Sequence, residues 1–211
     1  MTSFLNAGQG AIIEDIAAVI VANKPWLSEI DGKIGDGDHG SNMAKGFGRA
    51  AERIHGHDMT LDAAMAVLSD VLMGEIGGSM GPLYGMMFED MASAIKGRDR
   101  VDAADFSAML NAGLSGVQAI GNAKVGDKTL IDTLVPAITA FDAAIDHGFD
   151  AALIAMAAAA ETGRDSTVDM VAKVGRSARL GERSRGVLDA GATSCCLILT
   201  CLSEAVRARL A

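Results

Sequence analysis

The chain has 211 residues, half of them apolar and 4% aromatic, and a formal net charge of −9. An acidic surface repels nucleic-acid phosphates and anionic bilayers, so neither is an expected partner. Three cysteines, Cys195, Cys196 and Cys201, crowd one stretch. An odd count with two neighbours adjacent predicts buried free thiols in a reducing compartment, not a disulfide framework.

The N-terminal "MTSFLNAGQG" lacks the basic and apolar regions of a leader, and "AALIAMAAAA" and "CCLILTCL" are too short to span a bilayer. The expectation is one cytoplasmic domain over residues 1–211 with no membrane association. Ile12, Ile13, Ile16, Val19 and Ile20 form the stripe of a first helix. A short helical turn is expected at Pro25–Ile30, then a second helix over Asn42–Ile54. Thr60 caps a third, and Pro82 stands in the first turn of a fourth that runs to about Lys96. A fifth runs from about Asp102 to Gly121. A sixth spans Leu130–Asp146 with an expected kink at Pro136. A seventh covers Ala151 to about Val174, with a break expected at "ETGRDST", and an eighth covers Ser194–Leu210. No run alternates as a strand should. The expected fold is all-α, an antiparallel up-and-down bundle or barrel of about eight helices.

Four polar, glycine-rich stretches interrupt the helices: 31–42, 77–85, 121–129 and 175–193. They follow predicted helices one, three, five and seven, and alternate connections in an up-and-down bundle emerge at one end. The four stretches are therefore expected to build one site.

In the first stretch, Asp31, Asp36 and Asp38 offer hard oxygen ligands suited to Mg²⁺ or Ca²⁺. The spacing is not that of an EF-hand. Two readings stand: a metal site with open positions for phosphate, or a solvated acidic loop capping the second helix. His39, Ser41 and Asn42 sit at a helix start, which is either an anion site or ordinary capping. "GGSMGPLYG" joins a glycine turn to another helix start, but no Lys-Ser or Lys-Thr follows, so it is not a Walker A loop. "GDKTLID" places Asp127, Lys128 and Thr129 at a third. Arg176, Arg179 and Arg183 bring positive charge opposite the acids, although single arginines are usually surface residues. No pattern offers a covalent nucleophile.

The segments "IGDGDHGSNMAKGF", "GGSMGPLYG", "GDKTLIDTLVPA" and "GRSARLGERSRGVLDAGATS" resemble, in order and spacing, the signature segments of the L subunit of dihydroxyacetone kinase. The resemblance runs from about residue 30 to residue 194. It implies an antiparallel eight-helix barrel that holds ADP or ATP at one end. It implies two Mg²⁺ ions on Asp31, Asp36 and Asp38. The nucleotide contacts it implies are His39, Gly40, Ser41, Asn42, Ser79, Met80, Gly121, Leu130, Arg176, Asp189, Ala190 and Gly191, with Arg176 the candidate catalytic group. The implied activity is phosphotransfer, dependent on a K subunit that holds dihydroxyacetone through a histidine. The further partners implied are a phosphotransferase-type donor subunit, where one supplies the phosphoryl group, and a second copy of the chain. Related kinases act on four-carbon ketoses and exchange ATP freely. Four positions depart from the family pattern: Met80 replaces a common serine, Arg179 a common aromatic, Val187 a histidine and Ala190 a proline. A nucleotide-binding regulatory module and a Ca²⁺-stabilised helical interaction protein are the competing readings.

Overall fold

The computed structural model describes residues 2–211. A short strand β1 (Ser3–Leu5) leads into helices α1 (Ala11–Ala22), α2 (Lys24–Ile34), α3 (His39–Ile54), α4 (Leu61–Glu75) and α5 (Met80–Ile95). Strand β2 (Arg100–Asp102) precedes α6 (Ala103–Ile120), α7 (Ile131–Ala144), α8 (Phe149–Ser166) and α9 (Ala190–Arg207). Neighbours in sequence pack side by side, and α9 returns to pack on α1, closing a ring from which only α2 stands outside. The expected all-α fold is therefore present.

Several local expectations shift. The helical turn expected at Pro25–Ile30 is a full helix, α2, so the described residues hold nine α-helices. The glycine-rich stretches accordingly follow α2, α4, α6 and α8, which leaves them at one end as the alternation requires. Helix α3 begins at His39, three residues before Asn42. Helix α8 stops at Ser166, where Ser166 and Thr167 hydroxyls donate to the carbonyls of Gly163 and Arg164 and draw the chain into a 3₁₀ turn. Helix α9 starts four residues before Ser194, at the cap Asp189. Helix α7 continues through Pro136. Proline has no N–H for the carbonyl of Asp132, and Gly163 of α8 packs there: a Cβ on Gly163 would lie 2.4 Å from that oxygen.

The two strands were not expected. They pair antiparallel with Phe4 opposite Val101. Three residues each is too short to register as alternation. Phe4 and Val101 are fully buried, and the C-terminal Ala211 exchanges backbone hydrogen bonds with Ser3. Asn6, also buried, donates to Asp62 and the Arg98 carbonyl and accepts from the Leu61 N–H. One end of the ring is thus clasped by backbone and amide hydrogen bonds. Phe106, Phe141 and Phe149 pack there at ring separations of 5.2–6.0 Å, with Phe4 beside Phe149.

Helix α9 alone among the described residues has the length and hydropathy to cross a bilayer. It is a buried member of the ring instead, packed on α1, α7 and α8 with Cys195, Cys196, Ile198, Leu199 and Leu202 buried. Each of the leucine and isoleucine side chains contributes roughly 1.5–3 kcal/mol by leaving water. The three thiols are free and buried, as expected.

Candidate functional site

At the end opposite the clasp lies an open cavity of about 630 Å³, lined from all four glycine-rich stretches. Asp31 comes from the last turn of α2. Gly35 then turns the chain so tightly that a Cβ there would meet the Asp31 carboxylate at 2.3 Å. Gly37 adopts φ +78°, and Asp38 follows directly before α3. Asp38 makes no side-chain cap hydrogen bond, so its carboxylate is not committed to the helix. Asp31, Asp36 and Asp38 each bring an oxygen within 4.8 Å of the others. Two like charges at about 4 Å repel by roughly 1 kcal/mol in water and about 4 kcal/mol at an effective dielectric of 20. Inside the protein, relief comes from Arg176, whose guanidinium pairs with Asp36, and from the His39 N–H, which donates to Asp31 at 3.2 Å. The oxygen-only donor set and the crowding fit a divalent cation.

The second stretch turns at Gly78, φ +78°, beside the Asn42 amide, and α5 starts at Met80 with no side-chain cap. Met80 is buried in the cavity wall with Leu83 and Leu130. The third stretch is ordered by Asp132. Its carboxylate, fully buried, accepts from the N–H groups of Gly126 and Thr129. Between them Lys128 takes φ +63°, unusual for a non-glycine residue, and buries its ammonium. Its Nζ donates to the carbonyls of Thr167 (2.7 Å), Met170 (3.3 Å) and Val187. Lys128 thus ties the third stretch to both ends of the connection between α8 and α9. Burial pushes its pKa below the usual lysine value. The fourth stretch carries Arg176 and Arg179 to the cavity; Arg183 is exposed and does not line it.

His39, half-buried, bridges cavity and core. Its Nε2 lies 3.0 Å from Ser194 Oγ, which is 2.7 Å from the Tyr84 hydroxyl. Burial lowers the His39 pKa, opposed by the Asp31 carboxylate.

The structure brings together Asp31, Asp36, Asp38, His39, Asn42, Ser79, Met80, Leu130, Arg176, Asp189, Ala190 and Gly191. Three expected site residues fall outside the wall. Gly40 is a packing residue: a Cβ there would lie 2.3 Å from the Lys24 carbonyl and 2.6 Å from Ser28 Oγ, so it lets α3 rest on α2. Ser41 is exposed on α3, and Gly121 stands behind Leu83 at the end of α6. Tyr84, Lys128, Asp132 and Ser194 were not among the expected site residues, although all four lie in the quoted motifs. Tyr84 is the chain's only tyrosine, and Lys128 sits between a glycine and a helix start.

The DAK2 domain profile matches residues 33–204, most of the chain and all four cavity-lining stretches but for residues 31 and 32. The chain belongs to the DAK2 family. Among its DAK2 relatives is "PEP-dependent dihydroxyacetone kinase 2, ADP-binding subunit DhaL" of Listeria innocua, 33% identical over 92% of each chain. The corresponding Escherichia coli subunit is 34% identical over 86% of this chain and 88% of its own. L-erythrulose 1-kinase of Mycolicibacterium smegmatis is 29% identical over 92% of this chain, which spans only 34% of that longer protein. Among solved structures, the C. freundii dihydroxyacetone kinase in complex with AMP-PNP and Mg²⁺ superposes with a TM-score of 0.73 at 27% identity. That comparison covers 92% of this chain and 33% of the other.

Asp189, the cap of α9, accepts from the Ala192 N–H at 2.7 Å. Burial raises its pKa to about 7, against the pull of that hydrogen bond and of Lys128. The folded state therefore keeps a proton that the unfolded chain, with a pKa of 3.8, has released. Stability from this group is present at acid pH and is lost as pH rises from about 4 to about 7. Carboxylates with lowered pKa values, such as Asp127 and Asp165, act in the opposite sense but below that window. In EDTA, Asp189 is expected to lower the melting temperature as pH rises from about 4 to about 7, against the opposite effect of His39, whose lowered pKa adds stability as pH rises toward 6.5. Asp189→Asn, which keeps an oxygen for the cap, should flatten that fall, and identical slopes in thermal melts of the two proteins would contradict the assignment.

Proposed function

We propose that this DAK2 chain is the nucleotide-holding subunit of a ketose kinase. It binds ADP or ATP with two Mg²⁺ ions and presents the terminal phosphoryl group to dihydroxyacetone held on a partner K subunit. The observation that carries this reading is the convergence of Asp31, Asp36 and Asp38 with Arg176 at the mouth of one cavity. Phosphoryl transfer needs in-line positioning and neutralised charge more than a nucleophile. Divalent cations supply charge neutralisation across the phosphates when bound. The three aspartates would hold them, and Arg176 and Arg179 are placed to neutralise phosphate oxygens from the other side. The free N–H groups opening α3 and α5 add anion-binding dipoles. Met80, Leu83, Leu130 and Ala190 give the cavity an apolar wall suited to a nucleobase.

The named subunits that the chain matches nearly end to end support a divided enzyme, with "PEP-dependent" in their names supporting a phosphotransferase-linked donor. The free thiols support a cytoplasmic setting. The match to L-erythrulose 1-kinase favours a second reading, a four-carbon ketose with freely exchanging ATP. The test is a coupled assay of the purified chain with and without a K-type subunit, using dihydroxyacetone and L-erythrulose, and ATP or a phosphotransferase donor. No turnover is expected from the chain alone, and turnover should appear with the K-type subunit. Ketose phosphorylation by the isolated chain, free of any K subunit, would overturn the divided-labour reading.

A further inference from the structure

Ser194 lies behind the cavity wall, and Tyr84 reaches it from the wall itself. Both side chains are buried. Ser194 Oγ lies 3.0 Å from His39 Nε2, 2.7 Å from the Tyr84 hydroxyl and 3.1 Å from the Gly191 carbonyl, which is also 3.1 Å from the Tyr84 hydroxyl. The carbonyl only accepts, and serine and tyrosine have one proton each. With Nε2 protonated, three protons serve these four contacts and none is wasted: His39 donates to Ser194, and Ser194 and Tyr84 direct their protons along the chain that ends on Gly191. With Nε2 bare, only two protons are available, and Ser194 must turn its own away from the buried carbonyl and phenol. Among the described residues Nδ1 has no hydrogen-bond partner, and it is not a buried unpaired atom; His39 lines the cavity.

We propose that Ser194 and Tyr84 are positioning residues that fix His39 as the Nε2–H tautomer, leaving the Nδ1 lone pair as an acceptor facing the cavity. A neutral ring held this way has no proton for a phosphate oxygen. It selects a ligand group that brings its own hydrogen, either a nucleoside hydroxyl or a metal-bound water. The role of the second nitrogen follows from the bond made by the first. Tyr84 and Ser194 also couple α5 and α9 to the start of α3, so the ring's orientation is set by three helices.

The tautomer part of this inference is independent of nucleotide binding, while the ligand part rests on the proposed function. At about pH 8, where a histidine is neutral, long-range ¹⁵N–¹H spectra of the ligand-free protein should show His39 protonated at Nε2. Ser194→Ala should convert it to a mixture, Tyr84→Phe should do so partly, and Ser194→Thr should restore the parent signature. Affinity for Mg–ADP, read by calorimetry, should fall roughly 10–100-fold in Ser194→Ala, with the ligand-free melt little changed. The same loss with Mg–pyrophosphate identifies metal-bound water as the group received, and a loss confined to Mg–ADP identifies a nucleoside hydroxyl. An Nδ1–H ring in the parent, or spectra and affinities unchanged in Ser194→Ala and Tyr84→Phe, would overturn the proposal.

Discussion

Asp38→Asn is expected to lower ketose phosphorylation in the reconstituted enzyme by more than a hundredfold while leaving the helical spectrum intact. Asp36→Asn should do the same. Of the two, Asp38 gives the cleaner result, because Asp36 also pairs with Arg176 and its loss frees that guanidinium. Replacing a carboxylate by an amide removes a full charge from a donor set whose oxygens lie within 4.8 Å. Charge stabilisation lost from a phosphoryl-transfer transition state in this way is worth on the order of 3 kcal/mol or more. The fold should not suffer, since removing one of three crowded negative charges relieves repulsion. Activity within about tenfold of the parent at saturating Mg²⁺, a loss of only ~1.4 kcal/mol, would show that these carboxylates do not hold the catalytic metal.

Mg²⁺ with ADP should raise the melting temperature by roughly 5–10 °C at a hundredfold excess over Kd. Selective binding to the native state then adds about 2.7 kcal/mol, and a domain of this size gains roughly 2–4 °C per kcal/mol. The physical reason is that all four stretches line one cavity, so one ligand contacts segments from four parts of the chain at once. ADP in EDTA should give little shift, because bare phosphates would face three carboxylates. The double variant Asp31→Ala with Asp36→Ala should lose the Mg–ADP shift and melt no lower without ligand. A full shift in that variant, measured by scanning calorimetry, would place nucleotide and metal elsewhere.

The all-α fold and the shared end were legible because they rest on local signals: apolar spacing of 3.6 residues, caps such as Thr60 and Asp102, and the alternation of connections in an up-and-down bundle. The convergence of Asp31, Asp36 and Asp38 was legible because they stand close together in sequence in one glycine-rich turn. What escaped depends on distant contacts. The strands escaped because three residues cannot show a period, and their partners lie almost a hundred residues apart. That Gly40 also lets α3 rest on α2 depends on the Lys24 carbonyl and on Ser28, which no motif marks. Lys128 stands at a helix start, where no local signal gives the direction of its side chain. Only the structure shows its ammonium turned inward to the carbonyls of Thr167, Met170 and Val187. Ser194 lies 155 residues from His39, and no spacing rule links them.

The pairing of Ala211 with Ser3 has a practical meaning for anyone handling the molecule. Ser3 and Ala211 lie side by side, one helix length from the cavity mouth, about 24 Å for the sixteen residues of α3. A dye, an affinity handle or a surface linker attached at either end would therefore leave the mouth unobstructed. With the ends so close, a short peptide could join them and new ends be cut at the exposed Gly56 turn between α3 and α4. The rearranged chain should keep its ligand pocket, since that cut falls at the clasped end.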